Sequence, residues 1–290
     1  MDILNRLFDI EDAYELYHPE AIIYLFVILV IFYVGKKVYD MLTPYNLNEQ
    51  LIEVDNKAVA LSFAGYMFGL GIILWGVLSG ETTKDFYLDL LDMVFWGVIG
   101  IVLLQISRVV NDKILLSRFD NIKELVEDRN IGTGAVEAGT YIGSALLIMA
   151  AISGEDTSFL AGLVSALIFF VCGQVGFILF GKLYQGITRF DLHAEIEKDN
   201  ASAGVAFGIT LVAIGLLLSD FIVKSDSLVG FVVWFFLSAF LLVINRYLVD
   251  KIILPGQLLD EEISKDHNWG AALVEGGMAV MIAFLMNAAF

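Results

Sequence analysis

Long apolar runs alternate with short polar ones along the chain. A window of about twenty residues, the length that crosses a bilayer as a helix, is the natural measure. It finds eight apolar runs, near 17–36, 58–78, 86–106, 131–152, 159–180, 201–223, 228–248 and 269–290. The pattern predicts an all-α, polytopic membrane protein. The third run is the least clean, because Asp89 and Asp92 fall in its first turns, where headgroup-level placement suits them. Before the first run, Ile3, Leu4, Leu7, Phe8 and Ile10 fall near helical spacing. They predict a short interfacial helix over the acidic residues 1–20. Arg6 is the only basic group there, so the segment does not read as a signal peptide.

The basic residues orient the spans. Fourteen of the 17 Lys and Arg residues lie in or beside the connections after runs one, three, five and seven. Arg6, Lys84 and Lys224 lie on the other side. The positive-inside rule then places the loops 37–57, 107–130, 181–200 and 249–268 in the cytoplasm. Both termini are expected outside.

Composition agrees with this picture. The chain has 290 residues, 58% of them hydrophobic, and a mean hydropathy of +0.78. Soluble domains sit nearer about 45–50% apolar. A net charge of -17 argues against a nucleic-acid partner. The single cysteine, Cys172, lies in an apolar run and reads as a small buried residue. No H-E-x-x-H, phosphate loop, G-x-S-x-G or Cys/His cluster occurs. The expectation is a protein that is not an enzyme and has no cofactor or metal site. His18, His193 and His267 lie in loops or near span ends and are expected at the surface.

The chain aligns with itself. "DKILL" at Asp112 matches "DKIIL" at Asp250, an offset of 138 residues. The same offset pairs Trp96 with Trp234, Arg108 with Arg246, Asn130 with Asn268, Gly132 with Gly270 and Glu137 with Glu275. Earlier, "TPYNLNEQLIEVDN" (43–56) matches "TRFDLHAEIEKDN" (188–200) with one residue of slippage. The division is an acidic segment over 1–20, a four-helix repeat over 21–153 and a second over 154–290. An even number of spans gives both repeats one orientation, with a pseudo-twofold axis along the membrane normal expected between them.

Asn56, Asn130, Asn200 and Asn268 stand where helix N-caps would sit. Arg108 and Arg246 stand at span ends, as interfacial anchors do. Trp96 and Trp234 read as packing residues. Ala60 and Ala64 match Gly204 and Gly208, and Gly139 and Gly143 make another small-xxx-small pair. Such pairs let helices approach closely in lipid. Glu137 and Glu275 are harder to explain. Each lies about 10 Å along its helix from its Asn, on the same face. A carboxylate at that depth costs about 2–3 kcal/mol or more unless paired, protonated or wetted. One reading is a buried Glu hydrogen-bonded to a neighbouring helix by the Asn or an Arg. A second is a polar cavity or ion path between the repeats, and a third is a span boundary that leaves the Glu near the headgroups.

At "EDRNIGTGAVEAGTYIGSALLIMAAISG" and its second-half counterpart, the chain resembles the DUF350 or UPF0719 family, the YjfL-like bacterial inner-membrane proteins. The likeness covers about Tyr24 to the C-terminus as two tandem units. After Gly277, "MAVMIAFLMNAAF" lacks the small-and-polar pattern of the first unit, which points to a degenerate second unit. The resemblance implies a multi-pass inner-membrane protein of unestablished activity. The genes often encoded beside its relatives imply a loose link to envelope stress or to polyamine-related proteins.

Two functions follow as expectations. One is a channel or transporter whose polar path uses Glu137, Glu275, Asn130, Asn268, Asn56 and Asn200. The other is a membrane scaffold whose cytoplasmic loops recruit a soluble protein. The expected partners are the lipid bilayer, a homo-oligomer mate and a cytoplasmic protein, with no nucleic acid.

Overall fold

A computed structural model describes residues 20–80, 85–153, 159–225 and 227–289. The expected interfacial helix, up to residue 19, lies outside them. In chain order the helices are α1 (Glu20–Leu42), α2 (Lys57–Ser79), α3 (Phe86–Val110), α4 (Asn121–Val126), α5 (Ile131–Ile152), α6 (Phe159–Ile187), α7 (Leu192–Glu197), α8 (Ala201–Lys224), α9 (Leu228–Leu248), α10 (Leu259–Ser264) and α11 (Trp269–Ala289). Three π-helical turns, Glu49–Glu53, Asn111–Leu115 and Val249–Ile253, complete the connections. The described residues contain no strand. Eight helices are long and apolar enough to span a membrane, the number that hydropathy predicts.

The spans run further than the apolar windows. α1 was expected to stop near residue 36 and continues to Leu42; α6 continues to Ile187; α3 and α9 pass without a break into π-helical turns. The reason is amphipathic. Tyr39 and Tyr184 bury their side chains on the inner face of these extensions. Neighbouring Lys36, Lys37 and Lys182 can carry their charges outward on long stems.

The spans form two layers. α2, α5, α8 and α11 stand in a row, each packed on the next. α1, α3, α6 and α9 form a second row, with α3 between α2 and α5, α6 between α5 and α8, and α9 between α8 and α11. Small residues bring the first row together. A Cβ added to Gly134 would meet the Ala58 carbonyl, and one added to Gly204 or Gly208 would meet the backbone of Gly132 or Ala135. With little hydrophobic drive between helices in lipid, such backbone contact carries the association.

The two repeats share one orientation, but the row corrects the expected twofold axis. A twofold axis that joined α5 to α8 would join α11 to α2 equally. Instead α2 and α11 stand at opposite ends of the row, and no comparable packing joins them. The second repeat is placed by a head-to-tail step from the first.

Candidate functional site

Each helix of the first row is entered in the same way. A residue in the left-handed region comes first: Asp55 (φ 51°), Arg129 (φ 55°), Asp199 (φ 62°) and His267 (φ 48°). No other described non-glycine residue has positive φ. Such a conformation costs about 1–2 kcal/mol, so four equivalent occurrences mark one enforced turn. The next residue is the capping Asn. Its Oδ1 accepts from backbone N–H groups at the helix start, in each case at 3.0–3.3 Å. Its backbone N–H closes the turn by donating to the carbonyl of Gln50, Glu124, Glu195 or Glu262. Its Nδ2 donates to that same residue's side chain, at 2.8, 2.7, 3.1 and 2.7 Å respectively.

Three of the four Asn residues also reach the next unit of the row. Asn56 Nδ2 donates to the Leu125 carbonyl and Asn200 Nδ2 to that of Ile263, both at 2.8 Å. Asn130 Nδ2 donates to the carbonyl of Ile196. Asn56, Asn130 and Asn200 are buried, and Asn268 is exposed. The capping reading therefore describes all four, and three are also rivets between units. The sequence signal was available in the acidic or amide residue five or six places before each Asn. Glu124 is nearly buried, and burial pushes its carboxyl above the usual range despite the Asn130 bond.

Because each Asn is committed to its own turn, it does not reach the Glu two helical turns further on. Glu137 and Glu275 are both buried, at 2% and 1% exposure, among different partners. Glu275 is locked. Arg246 forms an ion pair with its Oε1, and Tyr184 donates to the same oxygen at 2.9 Å. The guanidinium lies 5.1 Å from the Tyr184 ring centroid and also holds Asp260 at 2.6 Å. Arg246 was expected as an interfacial anchor; its acidic neighbours draw it inside instead.

Glu137 accepts from Ser62 rather than from an arginine. Ser62 Oγ stands 3.1 Å from the Tyr39 hydroxyl, which stands 3.2 Å from that of Tyr45. Arg108 lies over the Tyr39 ring at 5.6 Å and donates to the Leu42 carbonyl at 3.0 Å. The Asp112 carboxyl shares a side-chain hydrogen bond with Glu137, and Arg108 acts on Glu137 electrostatically. Repeat positions explain the difference. Ala206 stands where Ser62 does, so Glu275 lacks that hydroxyl. Ile122 stands where Asp260 does, so Arg108 lacks that acidic anchor.

Around Glu137 the polar groups continue. Asn130, Thr133, Glu137, Thr140, Tyr141 and Ser144 recur every three or four residues, which puts them on one side of α5. Thr140 donates to Asn111 Oδ1 at 3.2 Å. Ser144 is 2.8 Å from Ser107 and accepts from Gln174 at 2.8 Å. Thr133 Oγ1 and the Tyr141 hydroxyl are buried here without a hydrogen-bond partner among the described residues. In α11 the corresponding positions hold Ala271, Met278, Ala279 and Ile282, so the polar side is confined to the first repeat.

Three other expectations were placed on side chains of no direct role here. Trp96 is buried, and Trp234 Nε1 donates to the Leu217 carbonyl at 2.7 Å. His193, expected at the surface, is half-buried because its ring nitrogen lies 2.8 Å from the Leu115 carbonyl and ties α7 to the turn after α3. Cys172 is half-buried.

Known proteins give a consistent placement. The family described as "Domain of Unknown Function (DUF350)" matches residues 10–152 and again 158–290. The chain is similar to a UPF0719 transmembrane protein of Aquifex aeolicus (strain VF5), 24% identical over 259 residues, covering 87% of this chain and 93% of that one. It is also similar to the UPF0719 transmembrane protein YshE of Bacillus subtilis (strain 168), 29% identical over 115 residues, covering 40% of this chain and 79% of that one. No solved structure matches the chain significantly. Eight membrane-spanning helices in two matching units, both recognised by one family, make this chain a multi-pass membrane protein that belongs to the DUF350 family and carries its domain twice.

Proposed function

We propose that the protein conducts protons, or a small cation, across the bacterial inner membrane through its first repeat, with the Asn-capped ends cytoplasmic and both termini periplasmic. The observation that carries this reading is the contrast between the two carboxylates. Glu275 is held by the Arg246 guanidinium, whereas Glu137 accepts from a serine and faces a second carboxyl, that of Asp112. Intramembrane carboxylates are expensive and are kept where they pair or serve a path. The groups that continue from Glu137 are hydroxyls, which both donate and accept and so can relay a proton. The 14-to-3 distribution of Lys and Arg supports the orientation. Glu275 then belongs to the frame, and neither Glu takes part in a chemical conversion.

A membrane scaffold is the competing reading. The short helices of the long loops would be its docking elements, but Leu125, Leu192, Ile196, Leu259 and Ile263 of these helices are buried against the bundle. The carbonyls of Leu125, Ile196 and Ile263 receive the Asn rivets, so these helices serve the fold itself. Proton flux into liposomes, compared between the natural protein and Glu137→Gln, tests the proposal. Equal flux in both, or none in either, favours the scaffold.

A further inference from the structure

We propose that copies of this chain assemble head to tail, with α11 of one copy packing against α2 of the next as α5 packs against α8 within each chain. The inference rests on the repeat and is independent of the ion path. Inside the chain the second repeat follows the first by a head-to-tail step, which leaves one used face and one unused face at each end of the row. Such heterologous contacts continue until they close a ring or extend as a row.

The α11 end shows what it lacks. On α5, Gly132, Gly139 and Gly143 receive α8: added Cβ atoms would meet backbone of Asn200, Gly208 and Leu211. Their counterparts on α11 are Gly270, Gly277 and Met281. Nothing lies within 4 Å of a Cβ at Gly277, and only the Asn268 side chain is near one at Gly270. Met281 is 54% exposed. Asn268 itself donates only to Glu262, while the three other caps also donate to a carbonyl of the next unit. The carbonyl of Leu51 holds, ahead of Asn56, the place that Leu125 holds ahead of Asn130. It is the acceptor that a neighbouring copy would offer.

The α2 end shows the complementary shape. An apolar groove of about 430 Å³ opens beside Phe32, Met67 and Gly71. Their repeat counterparts are Phe177, Leu211 and Gly215, the three residues that enclose Gly143 of α5. The α11 counterpart of Gly143 is Met281, whose flexible thioether suits a groove where α5 places only a glycine. α1 is open for the same reason. Its counterpart α6 sits between α5 and α8 and is 44% buried, while α1 has α2 but no α11 beside it and is 11% buried. A lipid-only contact would cover the groove but would leave the Asn268 rivet unmade.

Disulfide trapping in native membranes tests the contact. A Cβ at Gly132 would stand 3.5 Å from the Cα of Ala201, a spacing from which two cysteines can bridge. The counterpart pair is Gly270 and Lys57, both exposed at the ends of their helices. In a Cys172→Ala background, Lys57→Cys plus Gly270→Cys should give a ladder of covalent multimers on oxidation. Co-expressed single variants should give a dimer and nothing larger. Each single variant alone should give only monomer. Gly277→Trp, placed where the monomer is open, should abolish the ladder while the protein still purifies as a monodisperse species. A double variant that stays monomeric, a single variant that dimerises alone, or a ladder that survives Gly277→Trp would overturn the proposal.

Discussion

Arg246 of α9 and Glu275 of α11 form a buried ion pair that their repeat counterparts, Arg108 and Glu137, do not form. Removing one member of such a pair leaves an uncompensated charge and typically costs about 3–5 kcal/mol. Arg246→Met should therefore lower thermal stability strongly. Adding Glu275→Gln to it should recover part of the loss. Arg108→Met, whose guanidinium bonds only a carbonyl, should cost less than Arg246→Met in the same melting experiment.

The close packing of the first row predicts a contrast between two glycines. A Cβ at Gly208 would strike the Ala135 carbonyl, whereas one at Gly277 meets nothing within 4 Å. Gly208→Val should destabilise the purified protein by about 1–3 kcal/mol or more, as overpacking does. Gly277→Val should leave the melting temperature of the monomer unchanged.

Glu124 predicts a pH dependence. Burial raises its carboxyl pKa in the folded protein above that of the unfolded chain. The folded state then binds the proton more tightly, so this group's contribution is fullest in acid and is lost as pH rises through the raised carboxyl range. Glu124→Gln imitates the Gln50 that serves Asn56. Its stability relative to the natural protein should rise from acid to neutral pH. Glu124→Ala, which leaves Asn130 Nδ2 without that acceptor, should cost about 1–3 kcal/mol at any pH.

Much of the architecture was legible in the chain because lipid imposes simple rules. Helix length, apolar composition and the 138-residue repeat predicted eight parallel-repeat spans, and all eight are present. Span ends were less legible, since a hydropathy window stops at Lys36 while the helix continues to bury Tyr39. The positions of Glu137 and Glu275 stood out, but their unlike surroundings did not. That difference depends on residues far away in sequence, Ser62 against Ala206 and Ile122 against Asp260, which only folding brings to the site. The head-to-tail step between repeats was invisible for a similar reason: an alignment gives equivalence and orientation but no axis.

Orientation has its own test. Ser117 is exposed among the long loops, and Ser79 is exposed at the opposite end of α2. In a Cys172→Ala background, impermeant thiol reagents applied to intact cells should label Ser79→Cys and miss Ser117→Cys. The reverse labelling would place the Asn-capped ends outside.

The most direct measurement is proton entry into liposomes holding the purified protein, driven by a set membrane potential and followed with an internal pH dye. The natural protein should acidify the lumen, and Glu137→Gln should slow this by about tenfold or more, as loss of a proton-transferring group does. Glu275→Gln, assayed at a temperature where it stays folded, should retain most of the flux. Flux unchanged by Glu137→Gln would contradict the account and leave Glu137 as a packing residue.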